Sequence, residues 1–284
     1  MSGILIDGKV VAEKVNLRTI EIVKKLKRKK ITPRLEVILV GDDKPSQTYV
    51  RKKGEAANKL GMDFELHVLP GKTKMKDLIA KINKIQSNKK LSGLIVQLPL
   101  PEHLYVPEVL NTIRPELDVD CLTDVNIGKL VMKTNFLTPP TPAAAITILH
   151  DLEVEMAGKN VTIIGMGALV GKPLAIMLIN EGASVTTINS RTKNTKEKCL
   201  SADIIVTGVG RKDVLRGDMV KKGAIVIDTG VCFVDGKMYG DVNVAEVAKK
   251  ASYITPTPGG VGPNTVARLL YNTALCAQKK ITKK

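Results

Sequence analysis

A lysine on an otherwise apolar helix face is the first residue in this chain that could carry chemistry. Residues 46–60 are predicted to form a helix. Helical spacing places Lys53 on the same face as Tyr49 and Leu60, whereas Lys52 falls on the charged face. A lysine on an apolar face must reach water with its amine, find a partner or change its pKa. Spacing alone leaves both a snorkelling lysine and a proton-transferring lysine open.

A glycine-rich segment follows the aliphatic run 161–164 and precedes a helical pattern. It reads Gly165-Met166-Gly167-Ala168-Leu169-Val170-Gly171, one residue longer than the commonest dinucleotide fingerprint. Glycines let the chain turn sharply and let phosphate oxygens approach the free N–H groups at a helix start. An ordinary strand-to-helix turn is the alternative, but the regular alternation around the segment favours a dinucleotide site. The predicted cofactor contacts here are Gly165, Met166, Gly167, Val170 and Gly171.

The segment after the next predicted strand indicates which dinucleotide the site prefers. NAD sites usually place an Asp or Glu about 20 residues further on, where it holds the ribose hydroxyls. This region reads Asn189-Ser190-Arg191-Thr192-Lys193 and contains no acidic residue. A carboxylate would repel a 2′-phosphate, whereas Ser190, Arg191 and Thr192 are suited to bind it. The segment predicts NADP, and the alternative is a solvated basic loop.

These residues must be positioned by an alternating series of strands and helices. Aliphatic runs alternate with helical patterns, which predicts an α/β fold with a doubly wound parallel sheet. The predicted strands cover residues 35–41, 64–69, 93–98, 161–164, 184–188, 204–207, 224–228 and 253–255. The predicted helices cover about 10–30, 46–60, 74–88, 143–152, 171–181, 195–200, 243–250 and 264–279. We expect Ser46 to cap the second helix and Gly61 to end it. The proline-rich stretch 99–142 is expected to form loops.

Composition narrows the class of protein. Lys and Arg number 44 against 28 acidic residues, giving a net charge of +16, but aromatic residues make up only 3 %. Without aromatic RNA-binding motifs, the charge favours a lysine-rich solvated surface over a nucleic-acid-binding surface. A general attraction of anionic ligands is the alternative. The four cysteines lie far apart without metal-ligand spacing, so no metal site or disulfide framework is expected. No stretch is apolar enough to span a membrane, and a cytoplasmic protein is expected.

Five short sequence blocks give the strongest indication of function. They read Val40-Gly41-Asp42-Asp43, Ser46-Gln47-Thr48-Tyr49-Val50-Arg51-Lys52-Lys53, Val96-Gln97-Leu98-Pro99-Leu100-Pro101, Pro115-Glu116-Leu117-Asp118-Val119-Asp120 and Thr257-Pro258-Gly259-Gly260-Val261-Gly262-Pro263. In the same order, these blocks resemble the signature of the methylenetetrahydrofolate dehydrogenase/cyclohydrolase family. The resemblance extends from Ile4 to about residue 278.

The resemblance implies a role for particular residues. Lys53 would be the catalytic lysine, Gln97 would orient it, and Asp120 would hold the pterin. Tyr49 would line the folate site, and the 258–263 loop would close over the substrate. The implied catalytic residues are Tyr49, Lys53, Gln97 and Asp120, and the implied substrate contacts are these four with Leu98, Pro99, Pro258, Gly259 and Gly260. Plainer alternatives are a core ring for Tyr49, a strand-end amide for Gln97 and a turn-forming carboxylate for Asp120.

The resemblance also implies an architecture and a reaction. A folate-binding catalytic domain would cover residues 1–139 and be completed by a returning C-terminal helix, 264–284, while 140–263 would form a Rossmann-type NADP-binding domain. Such an enzyme would oxidise 5,10-methylenetetrahydrofolate by hydride transfer to NADP, then hydrolyse the methenyl product to 10-formyltetrahydrofolate. The family further suggests tetrahydrofolate derivatives as the small-molecule substrate and a homodimer through the cofactor domain, without nucleic-acid or membrane partners.

Several positions depart from the family pattern. Met166 and Gly167 stand where the family often has Arg and Ser, so one cation expected near the 2′-phosphate is missing. Cys121 replaces the usual Gly, and Asn264 replaces a Met. The alternative that keeps the fold is a shikimate-type or amino-acid-type dehydrogenase with NADP. The combination of Tyr49, Lys53 and Gln97 argues against that alternative.

Overall fold

The structure is a computed structural model that describes residues 3–104 and 107–282. The chain forms two compact units. One contains the N-terminal residues up to Glu13 and the segment Pro139–Thr265; we call it the six-stranded unit. The other contains Lys14–Thr138 and the residues from Val266 onward; we call it the three-stranded unit.

The three-stranded unit is a parallel sheet with helices between its strands. Its strands are β2 (Arg34–Val40), β3 (Asp63–Leu69) and β4 (Gly93–Val96), in the order β3-β2-β4. Its helices are most of α1 (Gly8–Arg28), α2 (Lys44–Lys59), α3 (Met75–Gln86), α4 (Pro107–Asn111) and α5 (Asp124–Val131). The strands β2 and β4 are aliphatic and buried almost throughout, as expected for parallel strands covered on both faces.

The six-stranded unit is built around a larger parallel sheet. Its strands are β1 (Ile4–Leu5), β5 (Asn160–Ile164), β6 (Ser184–Ile188), β7 (Ile204–Thr207), β8 (Ile225–Asp228) and β11 (Tyr253–Ile254), ordered β1-β11-β8-β7-β5-β6. Its helices are α6 (Pro140–Asp151), α7 (Gly171–Asn180), α8 (Thr195–Leu200) and α9 (Val244–Val247). A small hairpin, β9 (Cys232–Val234) with β10 (Lys237–Tyr239), is antiparallel.

The strand order places a topological switch beside β5. The chain continues from β5 to β6 on one side and then to β7 on the other. In such doubly wound sheets, ligands bind outside the carboxyl ends of the strands at this switch. The glycine-rich segment that starts at Gly165 directly follows β5 and therefore lies at this position.

The last helix, α10 (Val261–Thr282), returns to the three-stranded unit. From Val266 onward it belongs to that unit, where Leu269, Leu270 and Ala274 join a core with Val37 and Ile95. The α/β fold, the parallel Rossmann-type sheet and the returning C-terminal helix are as predicted. Residues 283 and 284, which the predicted domain included, lie outside the described part of the chain, as do Met1 and Ser2.

Several local expectations differ from the structure. The helix α2 begins at Lys44, and its cap is Asp43, whose carboxylate accepts from the Ser46 N–H at 2.8 Å; the predicted cap at Ser46 was wrong. Gly61 ends this helix with a φ of 75°, as predicted. The proline-rich stretch contains the short helices α4 and α5, and α6 starts within it at Pro140. Prolines are tolerated in a first helical turn, where their missing N–H removes no helical hydrogen bond.

The N-terminal residues are placed differently from the predicted 1–139 domain. The strand β1 pairs in parallel with β11, and this pairing joins the residues up to Glu13 to the six-stranded unit. A strand of two residues gives too little pattern to indicate its partner from sequence. Within the described residues, none of the helices combines the length and apolar character that a membrane crossing requires.

Candidate active site

Lys53 lies inside the three-stranded unit and not at its surface. Its side chain is 6 % exposed, and it is the one buried lysine among residues 3–104 and 107–282, whereas its neighbour Lys52 is exposed. The next residue, Gly54, faces the Phe64 ring of β3, where a Cβ would come within 2.8 Å of the ring. The glycine therefore allows α2 to pack closely on β3, and this packing buries the adjacent lysine.

Gln97 holds the Lys53 amine at the end of β4. The Lys53 Nζ donates to the Gln97 Oε1 at 3.0 Å. The Gln97 amide nitrogen in turn donates to the Leu98 carbonyl at 2.6 Å, which fixes the amide with its oxygen toward Lys53. The Gln97 backbone N–H is held by the Ile38 carbonyl of β2 at 2.8 Å. The predicted pairing of Lys53 with Gln97 is present in the structure.

Asp120 also lies close to Lys53, which the sequence did not indicate. Burial lowers the pKa of Lys53, and the nearby Asp120 carboxylate opposes this shift. Burial raises the pKa of Asp120, the Lys53 ammonium lowers it, and the carboxylate of Asp118 raises it further. Both shifts favour the neutral forms, so a proton can move at this site without leaving an isolated charge buried.

The remaining predicted residues of this unit surround Lys53 along the chain. Tyr49 is half-buried one helical turn before Lys53, and burial raises the pKa of its hydroxyl. Leu98 is half-buried and Pro99 is exposed, directly after Gln97. The three-stranded unit thus brings Lys53, Gln97 and Asp120 together, with Tyr49, Leu98 and Pro99 adjacent to them in sequence.

The glycine turn Pro258-Gly259-Gly260 belongs to the six-stranded unit. Gly259 has a φ of 105°, a conformation that favours glycine, and its carbonyl accepts from the Gly8 N–H at 3.0 Å. A Cβ on Gly8 would overlap the Gly260 carbonyl, so the N-terminus of α1 and this turn are in direct contact. Residues 261–263 form the first turn of α10 and not a loop, because α10 starts at Val261.

The glycine-rich segment 165–171 has two glycines that its packing requires and one that lies beside open space. Gly165 has a φ of 103°, and a Cβ there would lie 2.5 Å from the Gly208 carbonyl. At Gly171, the first residue of α7, a Cβ would overlap the Gly165 carbonyl. Gly167 is different, since a Cβ there would meet no described atom within 4 Å. The fold requires the outer glycines, whereas the middle one leaves open space beside the backbone, which fits the close approach of a pyrophosphate.

The predicted 2′-phosphate residues lie beside this loop. The Gly165 N–H donates to the Ile188 carbonyl at 2.9 Å, which places the end of β6 next to the glycine turn. Asn189 then closes a turn by accepting from the Arg191 N–H at 2.9 Å. The side chains of Ser190 and Arg191 are exposed, Thr192 is half-buried, and Arg191 forms no ion pair with any described residue. Met166 packs partly against the core below the loop.

A buried pair of aspartates at the carboxyl ends of the strands was missed by the sequence analysis. Asp228 ends β8 and accepts from the Thr207 hydroxyl at 2.9 Å, and burial raises its pKa to about 6. Asp241 accepts from the N–H groups of Val209 (2.6 Å) and Arg211 (2.8 Å). The two carboxylates fix the loops that follow β7 and β8. An aspartate at the end of a buried aliphatic strand was the available signal.

A third cluster involves Glu36, Glu65 and His67, a set of side chains that could hold a metal ion. Arg34 lies among them: its Nε donates to Glu36 at 2.7 Å, and the guanidinium also contacts Glu65. His67 bonds to Glu36 at 2.8 Å. Because the guanidinium already neutralises these carboxylates, the group forms an ion-pair network that joins β2 to β3.

Comparison with known proteins identifies the family. Residues 6–120 match the family model for the tetrahydrofolate dehydrogenase/cyclohydrolase catalytic domain, and residues 139–281 match its NAD(P)-binding domain. The chain is 46 % identical over 280 residues to the bifunctional protein FolD of Campylobacter concisus, covering 98 % of this chain and 99 % of that protein.

Solved structures agree with this match. The crystal structure of the FolD methylenetetrahydrofolate dehydrogenase/cyclohydrolase from Campylobacter jejuni is 39 % identical, with a TM-score of 0.95 over 98 % of this chain and all of that one. The Trypanosoma brucei enzyme, complexed with NADP cofactor and an inhibitor, is 36 % identical, with a TM-score of 0.95 and 99 % of each chain covered.

The two matched domains, the parallel sheets and the full-length relatives define an NAD(P)-binding folate enzyme of two α/β domains. The chain belongs to the tetrahydrofolate dehydrogenase/cyclohydrolase family. It is an enzyme with both activities, an oxidoreductase and a hydrolase of one-carbon tetrahydrofolates. Family membership removes the alternative of a shikimate-type or amino-acid-type dehydrogenase.

Proposed function

We propose that the three-stranded unit binds 5,10-methylenetetrahydrofolate and that Lys53 is the proton carrier of the hydrolytic step. The observation that carries this proposal is the buried Lys53 amine, bonded to Gln97 at 3.0 Å and close to the Asp120 carboxylate. A lysine works as an acid and a base when its pKa moves down toward the working pH, and burial moves the pKa of Lys53 in that direction.

In the first reaction the protein's residues bind and orient. NADP, when bound, supplies the acceptor for the hydride that leaves the methylene carbon of the substrate. At the start of α7 the Gly171 N–H is suited to donate to the pyrophosphate, because Pro173 has no N–H and the Lys172 N–H donates to the Gly167 carbonyl at 3.1 Å. Gly167 leaves room for the phosphate. Asp120 is suited to accept hydrogen bonds from the N–H-rich edge of the pterin. Holding the two carbons in contact is the protein's main contribution to this step.

In the second reaction a proton must move. Water adds to the cationic methenyl carbon, the bond from that carbon to N5 breaks, and 10-formyltetrahydrofolate results. The neutral amine of Lys53 takes a proton from the attacking water and returns one to N5 as it leaves. The second water proton is released to solvent. Gln97, fixed by the Leu98 carbonyl, keeps the amine lone pair directed into the site.

We further propose that NADP is preferred to NAD. The support is the exposed Arg191 side chain beside the glycine loop, together with Ser190 and Thr192, and the absence of an acidic residue in the 189–193 segment. Met166 supplies no second cation, so the preference is expected to be modest. The Trypanosoma brucei relative, which is bound to NADP, supports the same choice of cofactor.

One experiment tests the proposal directly. Purified protein is incubated with 5,10-methylenetetrahydrofolate and either NADP or NAD, and reduced cofactor is followed separately from the methenyl compound. Both activities and faster reduction of NADP are expected. Reduced cofactor without any hydrolysis of added methenyltetrahydrofolate would contradict the role of Lys53, and equal rates with NAD would contradict the role of Arg191.

We also propose that the protein is a homodimer through the six-stranded unit and that it is cytoplasmic. β6 is an edge strand of the large sheet with exposed residues at Thr186 and Thr187, and an open edge can pair with a second copy. Light scattering after size-exclusion chromatography should give twice the chain mass of 30.7 kDa. The free cysteines Cys121, Cys199, Cys232 and Cys276 fit a reducing compartment.

A further inference from the structure

We propose that Asp118 and Asn272 are positioning residues that hold Asp120 toward Lys53. This inference rests on the proposed function, because it takes Asp120 as the carboxylate that binds the folate. Asp118 stands two residues before Asp120, and Asn272 lies on α10. All four side chains belong to the three-stranded unit.

Asp118 is closed to substrate by its own hydrogen bonds. Its side chain is 1 % exposed, and one carboxylate oxygen accepts from the Leu122 N–H at 3.1 Å. The other oxygen accepts from the Thr123 N–H (2.9 Å), the Thr123 hydroxyl (2.7 Å) and the Asn126 amide (2.9 Å). A carboxylate with this many donors is fully used, so Asp118 closes the 118–123 turn and takes no ligand.

The turn that Asp118 closes is the one that presents Asp120. The Cys121 N–H donates to the Asp118 carbonyl at 3.2 Å, and Cys121 has a φ of 56°, in the left-handed region. Glycine adopts this conformation most readily, and Cys121 stands where the family resemblance implies a glycine. Asp120 differs from Asp118: its carboxylate accepts no hydrogen bond from any residue that the structure describes. Asp118 therefore stabilises the turn, and the carboxylate of Asp120 remains available to bind a ligand.

Asn272 fixes the other side of the same turn. It is 2 % exposed, and its amide nitrogen donates to the Val119 carbonyl at 2.9 Å and to the Thr138 carbonyl at 2.8 Å. Val119 directly precedes Asp120. At Gly93, the first residue of β4, a Cβ would lie 2.7 Å from the Val119 side chain, so the turn is also pressed against the sheet. Asn272 of α10 therefore fixes Val119, the residue before Asp120. Asp118 fixes Leu122 and Thr123, which follow Asp120.

The test compares variants of Asn272 with a neighbour on the same helix. Asn272→Ala removes both hydrogen bonds, and the nearly isosteric Asn272→Asp places a carboxylate against the two carbonyl oxygens. Asp118→Asn is the second site, because an amide cannot accept from all of the donors. Thr273→Val is the matched control. Thr273 is fully buried beside Asn272, but among residues 3–104 and 107–282 its hydroxyl bonds only to the Leu269 carbonyl of its own helix, at 3.0 Å. Kinetics for both substrates and the melting temperature are measured for each protein.

Displacing Asp120 should weaken the binding of the folate substrate and leave the binding of NADP unchanged. We expect kcat/KM for 5,10-methylenetetrahydrofolate to fall about 10- to 100-fold in Asn272→Ala and further in Asn272→Asp, mainly through KM. The KM for NADP should stay within about twofold of the parent value. Thr273→Val should lower the melting temperature without changing either KM.

Three results would overturn the inference. These are an unchanged folate KM in a folded Asn272 variant, an equal rise in the KM for NADP, or the same kinetic change in Thr273→Val. If the Asn272 variants do not fold, the KM values of Asp118→Asn for the folate and for NADP decide the inference. A parent protein without activity on the folate substrate would contradict the proposed function itself. An active parent whose variants have unchanged kinetics would contradict only this inference.

Discussion

Two opposing effects act on the pKa of Lys53: burial of the amine and the nearby carboxylate of Asp120. Burial disfavours the ammonium, while the Asp120 carboxylate favours it. Because Asp120 is itself made less acidic by burial and by Asp118, its hold on the proton of Lys53 is weakened. Binding a cationic methenyl substrate next to the amine would lower the pKa of Lys53 further. The site is therefore best suited to give up and take back a proton when the intermediate is present.

Replacing Lys53 should separate the two activities. Lys53→Met keeps the volume of the side chain but removes its proton, so the cyclohydrolase rate should fall by a factor on the order of 10²–10⁴. Some dehydrogenase activity should survive, since hydride transfer needs no proton from the enzyme, and methenyltetrahydrofolate should accumulate. Lys52→Met is the control, because Lys52 is exposed on the same helix. Parent-like hydrolysis in Lys53→Met would show that another group carries the proton.

Removing Arg191 should change which cofactor the enzyme uses. One charge-assisted contact to a 2′-phosphate contributes roughly 1.5–3 kcal/mol, and without a cation at Met166 the lower half is expected. The ratio of kcat/KM for NADP to that for NAD should therefore fall about 10- to 40-fold in Arg191→Ala. Lys193→Ala, an exposed cation two residues on, should change the ratio much less. Equal effects of the two variants would mean that general charge, and not a specific contact, selects NADP.

Asp228 should give the protein a pH-dependent stability. Its folded pKa is raised from 3.8 to about 6, so folding favours the protonated form. The stability from this group is present below pH 3.8 and is lost as the pH rises through about 6. The loss amounts to about 3 kcal/mol. The free energy of unfolding of the parent minus that of Asp228→Asn should therefore fall between pH 4 and pH 7 in urea titrations. A constant difference would contradict the raised pKa.

At the level of elements, α2 depends on its first turn for the placement of Lys53. Asp43 caps this helix through the Ser46 N–H, so Asp43→Ala should lower the free energy of unfolding by about 1 kcal/mol. Asp42→Ala is the matched control, since Asp42 is exposed and makes no capping bond. Urea unfolding at neutral pH measures both. A loss of similar size in Asp42→Ala would show that negative charge near the helix start matters and not the cap.

Elements with a clear pattern between turn residues could be predicted from sequence, and the short helices of the proline-rich stretch could not. The strands β5 and β7 are apolar runs bounded by turn residues, and the short helix α8 also lies at its predicted residues. The helices α4 and α5 have too few residues for a clear period and lie in a proline-rich stretch, so their formation depends on packing. The start of α10 was missed because glycine and proline in its first turn are typical of loops.

The site was predictable where one side chain had an unusual setting. Lys53 stands out on an apolar face, where spacing left a snorkelling and a buried lysine open, and the structure buries it. Its hydrogen bond to Gln97 joins two residues that the family resemblance had paired. The proximity of the Asp120 carboxylate to the Lys53 amine could not be found from spacing, because the two residues lie far apart in sequence and only the fold brings them together. The carboxylate network of Asp228 and Asp241 was likewise missed, since it joins loops far apart in sequence.

At the scale of the whole molecule, the net charge of +16 should act on the encounter with substrates. Folates and NADP are anionic, and a cationic protein raises their local concentration. Raising KCl from about 20 mM to about 500 mM should lower kcat/KM for NADP by about tenfold and change kcat by less than about twofold. Sucrose at matched osmolality is the control. A fall confined to kcat would place the salt effect on chemistry and not on association.

The return of α10 to the three-stranded unit has a consequence for synthesis on the ribosome. Leu269, Leu270 and Ala274 are part of that unit's core, yet they are translated only after the whole segment Pro139–Thr265. Domains generally fold as units while the chain emerges. The three-stranded unit, whose main segment Lys14–Thr138 is translated before Pro139–Thr265, must therefore complete its core last. Part of its apolar surface stays uncovered while the dinucleotide-binding sheet forms. During that interval chaperones can bind the exposed apolar surface of the incomplete three-stranded unit.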